Sequence, residues 1–196
     1  MKAFKFSELY FASKNKKKYE EYKSGLGIED LKWAQISVVE PQMVSLQYLV
    51  EEKIKAILPQ LPNVPFFVEH TGLFIDIWHG FPGGLTSVFL DTVGNDGICK
   101  MMESYSEKER SVRGRIVIGL YHPSLGVSTY TGEVFGTIAR SPKGENNFGW
   151  DPIFIPDGDE QKRTYAQMTL EEKNKTDMRK QATDQLSRFI TRYFEL

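Results

Sequence analysis

The chain has 196 residues, of which 40% are hydrophobic and 26% charged, a balance that is typical of a globular protein and excludes a disordered one. Its formal net charge of -1 excludes a global attraction to nucleic acid or to an anionic membrane, so we expect neither as a partner. The single cysteine, Cys99, excludes an intrachain disulfide and a multi-cysteine zinc site.

The first part of the chain alternates predicted strands and helices. The apolar run 9–12 predicts a strand, and the lysine-rich segment 15–23 directly after it predicts a helix. Segment 33–39 predicts a second strand, because Ile36, Val38 and Val39 favour an extended backbone. The apolar spacing over 46–58 predicts a second helix.

Polar residues interrupt the next apolar stretch. Segments 66–68 and 73–78 predict two strand pieces, which the polar residues 69–72 connect. A glycine-proline loop at 79–84 and a helix at 94–105 follow. We therefore expect an interrupted strand in the middle of the sheet.

The last part of the chain predicts consecutive strands and a closing helix. Segments 115–121 and 127–139 predict a long hairpin. Strand-helix alternation followed by consecutive strands indicates an α/β fold with a mixed sheet. An amphipathic helix is predicted at 176–194, with Thr176 or Asp177 as its cap. Its apolar face consists of Ala182, Leu186, Phe189, Ile190 and Tyr193.

The chain contains no stretch that resembles a linker, a signal peptide or a membrane-spanning segment. The lysines near the start are not followed by an apolar run of secretory length. We therefore expect a single domain over residues 1–196 in the cytoplasm.

A candidate phosphate site lies at Ser13-Lys14-Asn15-Lys16-Lys17-Lys18. Backbone N–H groups at a helix start and several ammonium groups can together hold a polyphosphate. The alternative is a solvated helix face, since Lys16 and Lys17 are spaced for ordinary pairs with Glu20 and Glu21. Neither G-x-x-x-x-G-K-[ST] nor G-x-G-x-x-G occurs, so a nucleotide site must be built another way.

Three acidic residues, Glu40, Glu69 and Asp151, stand at predicted strand ends and can converge on one edge of the sheet. Mg²⁺ needs few carboxylate oxygens when it also bridges substrate phosphates. The alternative reading is that these acids lie in solvated turns.

Segment 144–156 combines glycines, paired asparagines and aromatic residues. Phe148 and Trp150 can stack on a flat base, although aromatic residues beside glycine often only cover a core. From these residues alone, we predict a nucleotide-sized ligand.

Five ordered motifs resemble the inosine and xanthosine triphosphate pyrophosphatase family, over nearly the whole chain. Segment 13–18 resembles its T-x-N-x-x-K motif, and 144–156 resembles its G-x-x-x-F-G-[YW]-D-P-x-F segment. Segment 68–73 stands for its acidic pair plus [ST]-G-L, and 80–83 for its G-x-P-G loop. The residues 164–168 and 171–174 resemble the stretch that follows.

This resemblance implies an α/β fold with a mixed, elongated central sheet, flanking helices and two lobes around a nucleotide cleft, usually in a homodimer. It also implies hydrolysis of non-standard purine nucleoside triphosphates between the α and β phosphates. The products would be a nucleoside monophosphate and pyrophosphate. The cofactor would be Mg²⁺, with Mn²⁺ as a substitute.

The resemblance also implies roles for individual residues. Glu40 and Glu69 would bind the metal directly or through water, and would form the catalytic set with His70. The phosphate contact assigned to Lys55 is equally plausible for Lys53. The implied substrate-binding residues are Ser13, Asn15, Lys18, Lys55, Thr71, Phe148, Trp150, Asp151, Lys173, Met178 and Arg179.

Three positions depart from the family pattern. His70 stands where the family has its second acid; a neutral imidazole suits a general base near pH 7 but is a poorer Mg²⁺ ligand than a carboxylate. Met178 replaces a histidine that meets the purine, and Ser87 or Val88 replaces a basic residue.

We therefore hold two main hypotheses: an active pyrophosphatase with altered base preference, and a nucleotide-binding sensor or regulatory homologue without turnover. A third hypothesis is a different nucleotide reaction on the same fold.

Overall fold

The computed structural model describes residues 4–5, 8–145 and 148–195, with side chains described over 8–145 and 148–192. The strands are β1 (Phe4–Lys5), β2 (Tyr10–Ala12), β3 (Lys32–Ala34), β4 (Phe66–Ile75), β5 (Pro82–Gly83), β6 (Ser111–His122), β7 (Gly126–Ile138), β8 (Phe154–Pro156) and β9 (Phe194–Glu195). The helices are α1 (Lys16–Leu26), α2 (Leu46–Ile57), α3 (Thr86–Thr92), α4 (Gly94–Met101), α5 (Leu170–Asn174) and α6 (Met178–Tyr193). Short 3₁₀ turns lie at Asp76–Trp78, Glu107–Arg110, Asp151–Ile153 and Tyr165–Gln167.

A seven-stranded sheet runs through the centre in the order β3-β2-β4-β6-β7-β8, and β5 pairs with β4. β2 runs parallel to β3 and β4, whereas β4, β6, β7 and β8 pair antiparallel in succession. β1 and β9 form a separate parallel pair. The predicted mixed α/β fold is therefore confirmed, and so is the hairpin, which begins at Ser111 rather than at residue 115.

The sheet is covered on both faces. One face packs against α1, α4 and α6, with Phe67 and Leu73 of β4 in its core. The other face packs against α2, with Phe66 and Val68 of β4 in its core. Because successive side chains of a strand point to opposite faces, Glu69 shares the α1 and α6 face, and His70 shares the α2 face.

Helix starts agree with the sequence. The Asn15 side chain accepts a hydrogen bond from the Lys18 N–H at 3.1 Å and caps α1, and the Ser45 side chain caps α2. The Asp177 side chain accepts from the Arg179 N–H at 2.7 Å at the start of α6, which bears out the predicted cap. Within the described part of the chain, every helix is too short or too polar to span a bilayer.

The predicted strand 33–39 is wrong beyond Ala34. β3 pairs only with β2, and that ladder ends at Ala12 with Ala34, so the residues that follow have no strand to pair with. Val39 is 96% exposed. Glu40 therefore lies in a loop. The sequence had indicated that it closes a strand, and that prediction is wrong.

The predicted interruption at 69–72 is also wrong. β4 is one strand, and its polar residues pair with β6 without a break, because a backbone ladder forms regardless of side-chain polarity. Asp76–Trp78, predicted as the end of a strand, is a 3₁₀ turn. The helix predicted at 94–105 ends at Met101, and α3 was not predicted.

Candidate functional site

Two adjoining pockets lie at the start of α1. An aromatic pocket of about 250 Å³ is lined by Phe148, Trp150, Asp151, Lys173 and Met178, among others. A charged pocket of about 220 Å³ is lined by Ser13, Glu40, Lys53 and Glu69, among others. Asn15 and Lys18 line both pockets, which therefore form two compartments of one site.

The turn between β2 and α1 is fixed by its own contacts. The Trp33 indole donates to the Ser13 carbonyl at 2.7 Å, and the Ser13 hydroxyl accepts from the Asn15 N–H at 3.1 Å. The Asn15 cap then directs the first turn of α1, with Lys18, toward the site. A helix start that carries a lysine is a favourable place for an anion.

Glu69 is the buried centre of the charged pocket, with a side chain that is 2% exposed. Its Oε1 lies 2.5 Å from Lys18 Nζ, and its Oε2 accepts from the Tyr22 hydroxyl at 2.7 Å. Arg179 Nε also lies 3.3 Å from Oε2. Burial opposes ionisation, but Lys18 and Arg179 hold the pKa of Glu69 well below its usual range. Glu69 is therefore a carboxylate at neutral pH.

Glu40 connects Lys53 to His70. Lys53 Nζ lies 2.8 Å from Glu40 Oε1 and donates to the Glu69 carbonyl at 3.0 Å. Burial lowers the pKa of Lys53, and Glu40 opposes that shift. Glu40 Oε2 lies 3.3 Å from His70 Nδ1. The carboxylate thus bridges the charged pocket and the imidazole behind it.

The tautomer of His70 follows from its second contact. Nε2 lies 3.0 Å from the Gly84 carbonyl, which can only accept, so Nε2 carries a hydrogen. Burial, with the Lys53 charge, lowers the pKa of His70 from 6.5. With Nε2 protonated, Nδ1, beside Glu40, is the nitrogen that can take a further proton.

The aromatic pocket combines flat apolar surface with one ion pair. Lys173 Nζ lies 2.6 Å from Asp151 Oδ2; burial raises the pKa of Asp151, and Lys173 opposes that shift. Lys17 Nζ lies 4.2 Å above the Phe148 ring. Gly132 of β7 allows α6 to begin here, because a Cβ at that position would meet the Met178 carbonyl at 1.8 Å.

Comparison with known proteins identifies the chain. The model of the Ham1 family matches residues 9–189. The chain belongs to the Ham1 family. The family recognised from the motifs is thereby confirmed.

Relatives of this Ham1-family protein carry names of nucleotide pyrophosphatases. The dITP/XTP pyrophosphatase of Methanopyrus kandleri is 37% identical over 183 residues, which cover 92% of this chain and 94% of that protein. The inosine triphosphate pyrophosphatase of Kluyveromyces lactis is 32% identical over 189 residues, which cover 93% of this chain and 95% of that one. A HAM1 protein structure from Coxiella burnetii superposes with a TM-score of 0.82 at 26% identity, covering 94% of this chain and 98% of that chain.

The structure of this Ham1-family chain brings most of the expected residues together and corrects one. Lys55 points away from the site: its side chain is 66% exposed, and its Nζ lies 2.6 Å from Glu52 Oε1. Lys53, the alternative, lines the charged pocket, because two helical positions place Lys55 on the far side of α2. His70 lies behind Glu40 and is absent from the lining of both pockets. Asn146 and Asn147 of segment 144–156 lie outside the described residues.

Sequence reasoning missed Tyr22, whose hydroxyl binds Glu69. Its position four residues after Lys18 places it on the same helical face, and that spacing was the available signal. Thr71 lines the aromatic pocket, and its Oγ1 is buried without a hydrogen-bond partner among the described residues, so it can bind a ligand. Ser87 also lines this pocket, whereas Val88 is exposed.

Metal binding in the Ham1-family site has two candidate ligands. Over the residues with described positions, no group of three or more His, Cys, Asp or Glu could hold a metal ion. Glu40 and Glu69 both line the charged pocket. Glu69 Oε1 is buried and has no hydrogen-bond partner beyond the nearby Lys18 ammonium. Because Mg²⁺ takes one or two carboxylates and completes its shell with water and phosphate, this pair fits the ion.

Proposed function

We propose that this Ham1-family protein hydrolyses non-standard purine nucleoside triphosphates to a nucleoside monophosphate and pyrophosphate. The observation that carries the proposal is the junction of an aromatic and a charged pocket at Asn15 and Lys18. A flat apolar compartment beside a cationic one matches the base and the triphosphate of one ligand. The names of the relatives support the same reaction.

The base stacks in the aromatic pocket against Phe148 and Trp150. The triphosphate extends past Asn15 into the charged pocket, where the Lys18 and Lys53 ammonium groups bind its oxygens. Ser13 and the start of α1 add neutral donors. Lys53 takes the phosphate contact that the sequence had assigned to Lys55.

We expect Mg²⁺, or Mn²⁺ in its place, at Glu40 and Glu69, where a bound ion supplies positive charge to the phosphates. The residues of the chain supply the remaining chemistry. A water oxygen forms a bond to the α-phosphorus, the bond from that phosphorus to the bridging oxygen breaks, and its electron pair leaves with pyrophosphate. The proton of the water passes through Glu40 to His70 Nδ1. Glu40 then stabilises the imidazolium.

Base preference depends on the start of α6. Met178 lines the aromatic pocket with a thioether, which offers at most a weak acceptor to the base. Losing one hydrogen-bond donor to a 6-oxo group costs about 1–3 kcal/mol of discrimination. We therefore expect a broader base preference than that of a homologue with histidine at this position.

We also propose a homodimer. Ile77, Phe81 and Val88 are exposed apolar residues near the G-x-P-G loop, and the Phe81 ring packs on Phe89 at 5.1 Å between centroids. Such a group of exposed apolar side chains favours association with a second copy. Sedimentation velocity should give twice the chain mass, and Val88→Glu should give the monomer.

A second candidate function is nucleotide sensing without turnover. It is favoured by one observation, the placement of an imidazole instead of a carboxylate at position 70, outside the lining of both pockets. The base and phosphate compartments would then retain the ligand without cleaving it.

One experiment separates the two functions. The protein is incubated with XTP, ITP, dITP, GTP or ATP and either Mg²⁺ or Mn²⁺, and released pyrophosphate is measured. Release from XTP or ITP supports the hydrolase. Tight calorimetric binding without pyrophosphate supports the sensor, and the absence of both binding and release rejects both functions.

A further inference from the structure

The aromatic pocket depends on a tight turn at residues 148–151. Gly149 adopts a left-handed φ of 58° between Phe148 and Trp150, and all three line the pocket. The Phe148 carbonyl accepts from the Asp151 N–H at 3.1 Å, and the Trp150 carbonyl accepts from the Ile153 N–H at 2.9 Å. Both of these bonds are local to the turn.

The carbonyl between them is held from a distant part of the chain. The Asn95 side-chain amide donates from Nδ2 to the Gly149 carbonyl at 2.9 Å, across 54 positions of sequence. The orientation of the amide is fixed by chemistry, since a carbonyl accepts and only Nδ2 can donate. Asn95 itself lies outside the pocket lining.

Asn95 belongs to a well-anchored element. It lies in the first turn of α4, whose Ile98 and Cys99 are buried in the core. The Cys99 thiol also contacts the Ala139 carbonyl at 3.2 Å. The hydrogen bond therefore ties a turn at the pocket to a helix that is held by the sheet.

The stability of the fold does not explain why an asparagine stands at position 95. Asn95 Oδ1 is buried and has no hydrogen-bond partner among the residues that the structure describes. A buried acceptor without a partner is unfavourable, and this cost offsets what the hydrogen bond from Nδ2 contributes. The amide is therefore nearly neutral for folding, while it constrains the backbone between two aromatic side chains.

We propose that Asn95 is a positioning residue for base recognition, which sets the orientation of Phe148 and Trp150 through the Gly149 carbonyl. This inference rests on the proposed function, because it takes the aromatic pocket to be the base compartment. It assigns Asn95 no contact with the phosphates, which bind in the other compartment.

The test compares a ligand that has a base with one that has none. Calorimetry measures the affinities for inosine monophosphate and for inorganic triphosphate in the full chain and in Asn95→Ala and Asn95→Asp. Both variants lose the hydrogen bond that orients the turn. A loss equivalent to about one hydrogen bond predicts roughly tenfold weaker binding of inosine monophosphate. Triphosphate binding should stay within about twofold, because contacts with the charged groups of the other pocket dominate it. Asn95→Asp should have the larger effect, since a carboxylate oxygen would face the Gly149 carbonyl.

The same set of variants controls for effects on folding. Asn95→Asp is nearly isosteric and places a negative charge in the first turn of α4, where it is favourable. Asp96→Asn, in the same turn and exposed, is the matched control and should change neither affinity. A parallel loss of both affinities, or unchanged inosine monophosphate binding, overturns the inference. If the unchanged protein binds neither ligand and releases no pyrophosphate from XTP or ITP, the proposed function itself is rejected, which is a different outcome.

Discussion

Arg179 of α6 donates from Nε to Glu69 Oε2 of β4 at 3.3 Å, although 110 positions of sequence separate the two residues. Its Nη1 lies 2.7 Å from Glu21 Oε2 of α1. Burial opposes the charge on Arg179, but Glu69 and the other acidic neighbours raise its pKa. One guanidinium thus joins three elements around the pockets.

Replacing Glu69 should damage both the fold and the activity. Glu69→Gln leaves Lys18 and Arg179 without their shared buried carboxylate. Breaking a buried ion pair on one side costs about 3 kcal/mol, which urea unfolding can measure. Asp184→Asn removes an ion pair with Lys180 in which both side chains are about half exposed, and should cost less than about 0.5 kcal/mol. Equal losses in the free energy of unfolding for the two variants would contradict a stabilising role of the buried Glu69 ion pairs.

Replacing Lys53 and replacing Lys55, both in α2, should have very different effects on triphosphate binding. Lys53→Met removes the proposed phosphate ligand from the charged pocket. Loss of a charge-assisted hydrogen bond of about 1.5–3 kcal/mol predicts roughly ten- to hundredfold weaker triphosphate binding. Lys55→Met, two residues away, removes a charge that contacts Glu52 in solvent and should leave the affinity unchanged. Calorimetry with inorganic triphosphate decides between them. A larger effect at Lys55 would restore the assignment that the sequence suggested.

His70 should affect turnover more than binding. His70→Asn removes the proposed proton acceptor behind Glu40, and loss of a general base predicts a kcat lower by at least about 100-fold. KM should change little, because His70 is outside the lining of both pockets. His79→Asn is the control: His79 is exposed, and its φ of 53° suits asparagine. A rise in KM with unchanged kcat would assign His70 to binding instead.

Arg110 should matter for stability alone. Its guanidinium is fully buried and donates to the carbonyls of Met102, Ile138 and Ala139. Arg110→Ala would leave three carbonyls unpaired beside a cavity, so we expect a loss of about 3 kcal/mol or more in urea unfolding. Arg140→Ala removes an exposed side chain and should cost less than about 0.5 kcal/mol.

Acid should weaken the start of α5, the helix that carries Lys173. The Thr169 backbone N–H, the Arg163 guanidinium and the Thr169 hydroxyl lower the pKa of Glu172 from 4.5 to about 2. Because the folded pKa is the lower one, this contribution to stability is complete above about pH 4.5 and is lost as the pH falls toward about 2. Carbon-13 NMR of the side-chain carboxyl should show the low pKa, and Arg163→Gln should raise it. A titration near 4.5 in the unchanged chain would contradict the capping geometry.

The sequence predicted the features that rest on local spacing. The helix spacing in α2, the helix that begins after Asn15 and the hairpin depend on neighbouring residues and were correct. The end of β3 was not predictable, since it depends on where β2 stops offering a partner. The choice between Lys53 and Lys55 required the direction in which α2 packs.

The contact between Arg179 and Glu69 was also beyond sequence reasoning. The motifs named both residues, but no local pattern relates positions that far apart. The pairing of β4 with β6 and β2, and the packing of α1 and α6 on the same face of the sheet, bring them together. The same applies to Asn95 and Gly149, which lie on separate segments that meet only in the folded chain.

The alternation of side chains along β4 has a consequence for how such a protein can change. Glu69 and Thr71 point toward the α1 and α6 face, where Glu69 lines the charged pocket and Thr71 lines the aromatic pocket, and His70 points toward the α2 face. We therefore expect a substitution at position 70 to alter the proposed proton transfer while the neighbouring pockets keep their shape. Substitutions on the two faces of β4 can therefore change ligand preference and reaction rate separately in the course of evolution.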